Sequence, residues 1–153
     1  MSDPGIVPWQ KADPSRRELP VALISLHDQV SRRDACAHRG LSEAWVSSYW
    51  PAKDLRLASR ADILNVANLE KLETSIGREA LASEVGCAAS HRAVAEWLSG
   101  SAHPMALVFE DDIVPLFEDF EARTLTVSNA LLAKARLGDA FICHLGVRED
   151  QIN

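Results

Sequence analysis

Cysteine, positive charge and long apolar runs are all scarce in this chain of 153 residues, and each scarcity excludes something. The cysteines are Cys36, Cys87 and Cys143, an odd number without CxxC spacing. That argues against a disulfide framework and predicts buried, reduced thiols, which suit a cytosolic compartment. No Cys or His pair has a spacing that reads as a metal site. Lysine and arginine total 16 against 22 acidic residues, giving a net charge of −6. Bulk electrostatic binding of nucleic acid or anionic lipid is therefore not expected. No apolar run approaches the roughly 20 residues of a membrane span. The N-terminus lacks the basic and apolar regions of a signal peptide, so a cytoplasmic protein is expected, at most peripheral at an inner membrane. There is no Walker loop, GxGxxG or GxSxG motif, and no internal repeat.

What is present is an ordinary globular composition, 47% hydrophobic and 25% charged, in a length suited to one core. Residues 1–19 are polar and broken by Pro4, Pro8 and Pro14, and read as a loose arm before a domain spanning 20–153. Val21–Leu26 reads as a first strand, and Ser31 as the cap of a helix running to about Arg39, stopped by Gly40. Ala44–Tyr49 reads as a weaker strand ended by Pro51. Between Lys53 and Arg78 a short helix near Ala61–Ala67 competes with a long connection. Ser83–Leu98 reads as a helix with Val85, Ala89, Ala93 and Trp97 on one face. Ala106–Phe109 reads as a strand buried on both faces. A helix over about Leu116–Ala135, lined by Phe120, Val127, Leu131 and Leu132, and a strand over Asp139–Leu145 complete the pattern. Strands alternating with helices predict an α/β protein with a mainly parallel sheet.

Chemistry concentrates where the Ala106–Phe109 strand ends in Glu110, Asp111 and Asp112. An unpartnered buried carboxylate is costly, so these acids are expected outside the core, at the strand's carboxyl end. Residues i and i+2 share a side, so Glu110 and Asp112 can converge on a divalent cation while Asp111 faces a ribose, a helix N-terminus or water. The competing reading is that these acids cap the next helix. Arg32 and Arg33 begin the first helix, where guanidinium groups suit a phosphate; solvated surface charge is the plainer alternative. In Glu84–His91, Gly86 permits close approach of a backbone or ligand, and Ser90 and His91 could hydrogen-bond a sugar or phosphate. The plainer reading there is tight helix packing and a structural histidine.

Taken in order, these segments resemble glycosyltransferase family 25, the lipooligosaccharide glycosyltransferases and collagen galactosyltransferase domains. The resemblance rests on Ile24–Leu26 with Arg32 and Arg33, on Pro51–Asp54, on Glu84–Cys87 with Ser90 and His91, and on Leu107–Ile113. Phe141–Gly146 fits the strand that follows in that family. The resemblance implies a GT-A-like, Rossmann-like fold, incomplete at the C-terminus, since family members continue well beyond this point. It implies inverting transfer of a sugar, commonly galactose from a UDP-sugar, onto a lipooligosaccharide or other glycan or glycolipid acceptor. Glu110 and Asp112 would hold Mn²⁺ or Mg²⁺, with Asp111 beside the donor. Ser25, Arg32, Arg33, Ala52 and Asp54 would lie around the nucleotide, and Ser90 and His91 would face the donor site. No general base is identified; His144 and Asp150 are the weak nominees. A sheet cut at this point would leave an uncovered edge that invites homo-oligomerisation. Two further readings compete: a non-catalytic nucleotide-sugar-binding module or remnant of such an enzyme, and a Mg²⁺ site for phosphoryl transfer.

Overall fold

The computed structural model describes residues 19–134. All but the last residue of the expected arm lies outside the described residues. So do the expected strand over 139–145, the segment 141–146, Cys143, His144 and Asp150. Within 19–134 the chain divides into two compact units, with the boundary in sequence between Pro115 and Leu116.

The first unit is built on a parallel sheet of β1 (Val21–Ser25), β2 (Tyr49–Pro51) and β3 (Leu107–Glu110), in the order β2-β1-β3. Helices α1 (Val30–His38), α2 (Glu43–Ser47), α3 (Arg60–Leu64), α4 (Leu69–Ile76) and α5 (Ala82–Gly100) fill the connections. The α/β class with a parallel sheet, flanked by helices, is therefore present. The central strand β1 is buried from Ala22 to Ser25. Ala22 and Ile24 pack with Val94 of α5, flanked by Trp50 and Ala52. Side chains alternate along a strand, so Leu23 points to the opposite face, where it is fully buried. Trp45 of α2 stacks on Phe109, the register partner of Leu23, with ring centroids 5.3 Å apart. A second cluster joins Leu55, Ile63, Leu69 and Val85.

Several expectations are corrected. α1 begins at Val30 with Gln29 in the capping position and no side-chain cap, so Ser31 lies inside its first turn. The start is fixed by Arg33, whose guanidinium reaches back to the carbonyls of Leu26 and His27. Gly40 does sit beyond the helix end, at φ +102°, a conformation that favours glycine. The stretch expected as a strand over Ala44–Tyr49 is mostly helix α2. Ser42 caps it by accepting from the Trp45 backbone N–H, and the paired strand is only Tyr49–Pro51. Between Lys53 and Arg78 there are two helices, α3 and α4, each capped by its preceding residue, Ser59 and Asn68.

The buried face of α5 runs through Val85, Gly86, Ser90 and Val94, rotated from the expected Val85–Ala89–Ala93–Trp97 line. Strand β3 is not buried on both faces: Leu107 is buried but Val108 is 36% exposed. Among the described residues β3 is an edge strand, so its outer side lacks a neighbouring strand.

The second unit holds α6 (Phe120–Lys134), which starts four residues later than expected. Its buried residues are Thr124 and Ser128, spaced i, i+4, while Val127 is exposed. Asp119 pairs with Arg123, whose guanidinium lies over the Phe117 ring. Asp111 and Asp112 fall well before this helix, so they do not cap it. No helix among the described residues is long and apolar enough to cross a membrane.

Candidate functional site

The strand order reverses across β1: the chain goes from β1 to β2 on one side and returns to β3 on the other. In open α/β sheets such a switch point opens a crevice beyond the strands' carboxyl ends, where ligands bind. Here β1 delivers Ser25 to that edge and β3 delivers Glu110 and Asp111. The turn after β1 delivers Arg32 and Arg33 on the first turn of α1.

Four of these side chains form one hydrogen-bonded network. Ser25 Oγ donates to Asp111 Oδ2 at 2.7 Å and accepts from Arg33 Nη1 at 2.8 Å. Arg32 Nε meets the other Asp111 oxygen at 2.9 Å. Arg33 also donates to Leu26 O and His27 O, and its guanidinium lies 4.4 Å from the centroid of the Tyr49 ring. Cys36 Sγ donates to the Asp111 carbonyl at 3.2 Å, and burial pushes this thiol above its ordinary range.

Asp111 is only 7% exposed and Arg33 9%, which corrects the expectation that all three acids stay out of the core. The physical reason is pairing: a carboxylate with a serine hydroxyl on one oxygen and a guanidinium on the other is not isolated. Arg32 is nearly half exposed, so its outer edge faces solvent.

Glu110 behaves differently. Its side chain is 48% exposed, and Oε1 lies 3.2 Å from His91 Nε2. Cys87 Sγ donates to the same oxygen at 3.6 Å. Cys87 and His91 are four apart on α5, one turn above each other on the same face. The sulfur, nitrogen and oxygen all lie within 4.8 Å of one another. The Cys87 thiol is raised above its ordinary range, first by burial and then by the neighbouring Glu110 charge.

Asp112, expected to join Glu110, is outside this group; its side chain is 69% exposed and lies 3.5 Å from Arg32 Nη2. Tested against the Mn²⁺ or Mg²⁺ that the resemblance implies, the arrangement fits at Glu110 only. The other two donors gathered there are imidazole and thiol rather than a second carboxylate, and Mg²⁺ in particular demands oxygen.

The remaining expected residues lie along a groove of about 550 Å³ lined in part by Ala52, Asp54, Ser90 and Arg92. Ala52 N–H donates to Ser25 O at 2.9 Å, which ties one wall to the end of β1. Ser90 is buried and braces α5: its hydroxyl donates to Gly86 O at 2.7 Å and accepts from Lys53 N–H at 2.8 Å. A Cβ on Gly86 would stand 2.6 Å from Lys53 O, so the close approach that glycine permits is to protein backbone. Asp54 is exposed and grips Arg56 through both oxygens at 2.7 and 2.9 Å. That guanidinium holds its carboxyl at about 2. Asp28 completes the surface pair with Arg56 at 2.9 Å.

The structure thus brings together Ser25, Arg32, Arg33 and Asp111, and separately Ala52, Asp54 and Ser90. His91 joins Glu110, and Asp112 is apart from that pair but reaches Arg32 at the exposed rim of the first group. Cys87 is the residue that the sequence reading passed over, and it is half-buried rather than buried. The Cys87–His91 spacing of four on a helix was the available signal. Comparison with protein-family models, curated proteins and solved structures yields no match.

Proposed function

We propose that this chain binds a nucleotide sugar at the carboxyl ends of β1 and β3, as the donor-binding part of a sugar-transferring protein. The observation that carries this reading is the Ser25–Arg33–Asp111–Arg32 network at the point where strand order reverses. A diphosphate needs positive charge that is held in place before it arrives. Arg33 supplies a buried guanidinium whose position is fixed by Ser25, two carbonyls and the Tyr49 ring. Arg32, oriented by Asp111 at Nε, supplies the half-exposed donor edge, where the phosphates would take the place of the exposed Asp112 carboxylate at Nη2. In this arrangement Arg32 touches the phosphates, while Ser25, Arg33 and Asp111 are positioning residues. The adjoining groove by Ala52 and Asp54 has a volume within the range of about 300–1,000 Å³ usual for small-molecule sites.

The resemblance to glycosyltransferase family 25 supports a UDP-sugar donor and a glycan acceptor, with inversion at the anomeric carbon. The test is calorimetric titration of UDP and UDP-galactose, each with Mn²⁺ and with EDTA. Binding of both nucleotides is expected, weakened about tenfold or more by Arg32→Ala, since a hydrogen bond to a charged group contributes about 1.5–3 kcal/mol. Arg60→Ala, whose exposed guanidinium pairs with Glu73 and Glu79, should leave binding unchanged. Equal losses in the two variants, or no binding under any condition, would sink the proposal. Binding without transfer to any glycan acceptor would keep the donor site and assign the chain to a binding module.

A further inference from the structure

We infer that Cys87, His91 and Glu110 form a binding site for a borderline transition-metal ion of the Zn²⁺ type, with three protein ligands and an open fourth position. The inference rests on distances among three side chains and not on the nucleotide reading; a chain that bound no nucleotide would still hold this ion.

The argument begins with tetrahedral geometry. An ion bonded at about 2.3 Å to sulfur and about 2.0 Å to nitrogen and oxygen sets its ligand atoms apart by fixed edges. Those edges come to about 3.5 Å from sulfur to oxygen and about 3.3 Å from nitrogen to oxygen. The structure has Cys87 Sγ at 3.6 Å and His91 Nε2 at 3.2 Å from Glu110 Oε1. The third edge, sulfur to nitrogen, is bounded by 4.8 Å. Two of three edges therefore match a tetrahedron before any ion is present.

The chemistry of the donors selects the ion. A thiolate and an imidazole favour Zn²⁺ and its neighbours over Mg²⁺, Ca²⁺ and Mn²⁺, which prefer all-oxygen surroundings. Three protein ligands plus a vacant corner is the arrangement of catalytic rather than structural zinc. Glu110 and His91 are both exposed, at 48% and 43%, so the vacant corner is reachable by water or by a ligand oxygen. On coordination the thiol proton leaves to solvent and Cys87 binds as thiolate. The scaffold comes from two elements of one unit: α5 supplies sulfur and nitrogen one turn apart, and the last residue of β3 supplies oxygen.

The test is titration of the full chain, stripped of metal and without nucleotide, with Co²⁺ followed by absorbance. One equivalent should produce intense visible bands of tetrahedral Co²⁺ and a near-ultraviolet thiolate-to-cobalt charge-transfer band, both abolished by added Zn²⁺. Cys87→Ser should remove the charge-transfer band. His91→Ala should weaken Co²⁺ binding by at least about tenfold, the lower end of what loss of a mere outer-shell partner costs. Cys36→Ala should keep the band, because that thiol points to the Asp111 carbonyl. Far-ultraviolet circular dichroism checks that each variant folds, and a fourth variant, Glu110→Gln, gives an independent reading if one does not. A band that survives Cys87→Ser, or the absence of tetrahedral bands in the unmutated chain, would overturn the assignment.

Discussion

Glu110 and Asp111 are neighbours in sequence at the end of one strand, yet they lie in opposite physical regimes. Asp111 is 7% exposed with both oxygens engaged by Ser25 and Arg32. Glu110 is half exposed and shares a single oxygen with a thiol and an imidazole, both weak partners when neutral. The pleat explains the split, because successive residues on a strand face opposite sides. One side meets α1 with its two arginines, and the other meets α5 with Cys87 and His91. The closed side is a device for holding charge still, and the open side has donor atoms to spare for something that arrives.

The sharpest way to break this contrast is to remove each acid in turn. Asp111→Ala strips the counter-charge from Arg32 and, through Ser25, from the buried Arg33. Water compensates part of the charge of the half-exposed Arg32, while Ser25 loses its buried acceptor, so a loss of about 2 kcal/mol in urea unfolding is expected. Glu110→Ala removes a half-exposed carboxylate with no strong partner, and a change within about 0.5 kcal/mol is expected. Similar losses in the two variants would show that the two sides do not differ in the way described.

A smaller effect tests the seat of α5, which sets Cys87 and His91 against Glu110. Gly86→Ala would place a methyl carbon 2.6 Å from Lys53 O, and a backbone oxygen has little room to give. Overpacking of this kind costs about 1–3 kcal/mol, while replacing a mid-helix glycine returns about 1 kcal/mol of helix propensity. The clash wins by a modest margin, so a net loss of about 1 kcal/mol is expected by thermal unfolding. Co²⁺ affinity should fall in the same variant, because α5 must lift away from Lys53. A stabilised variant would mean that the Lys53 segment yields freely and that the helix seat is not fixed by Gly86.

How much of this was legible beforehand follows from the same forces. The apolar runs read as strands over Val21–Leu26 and Ala106–Phe109 lie within one residue of the observed strands, whose ends converge at the crevice. The helix over Ala82–Gly100 was readable in extent but not in facing. An i, i+4 search weighs apolar residues, whereas the buried stripe is chosen by Gly86 and Ser90, one for space and one for a hydrogen bond to Lys53. The segment at Ala44 carries the β-branched and aromatic residues of a strand, yet the Ser42 cap decides for helix. The Ser25–Asp111 bond joins residues 86 apart, and only the pairing of β1 with β3 reveals it. Cys87 and His91 carried a visible spacing, but their third partner lies on another element and is supplied by the fold.

The mildest test concerns a third carboxylate, Asp54, which has a strong partner like Asp111 but is about as exposed as Glu110. Its hydrogen bonds to Arg56 hold its folded-state value at about 2, below the ordinary 3.8. A depressed carboxyl contributes stability above its unfolded value and loses it as pH falls toward the folded value. The difference in stability between the unmutated chain and Asp54→Asn should therefore be flat at neutral pH. It should shrink as pH falls from about 4 to about 2, and shrink at any pH when salt is raised, since exposed charges are screened within about 8–10 Å. A carboxyl NMR titration of Asp54 centred near 3.8 would dissolve the pairing. Because Arg56 rather than an open donor site sets this acid's charge, saturating UDP should leave its titration in place if Asp54 only walls the groove. A shift on adding UDP would move Asp54 from the wall to the ligand, and would place the nucleotide in the groove beside α5 as well as over Arg32.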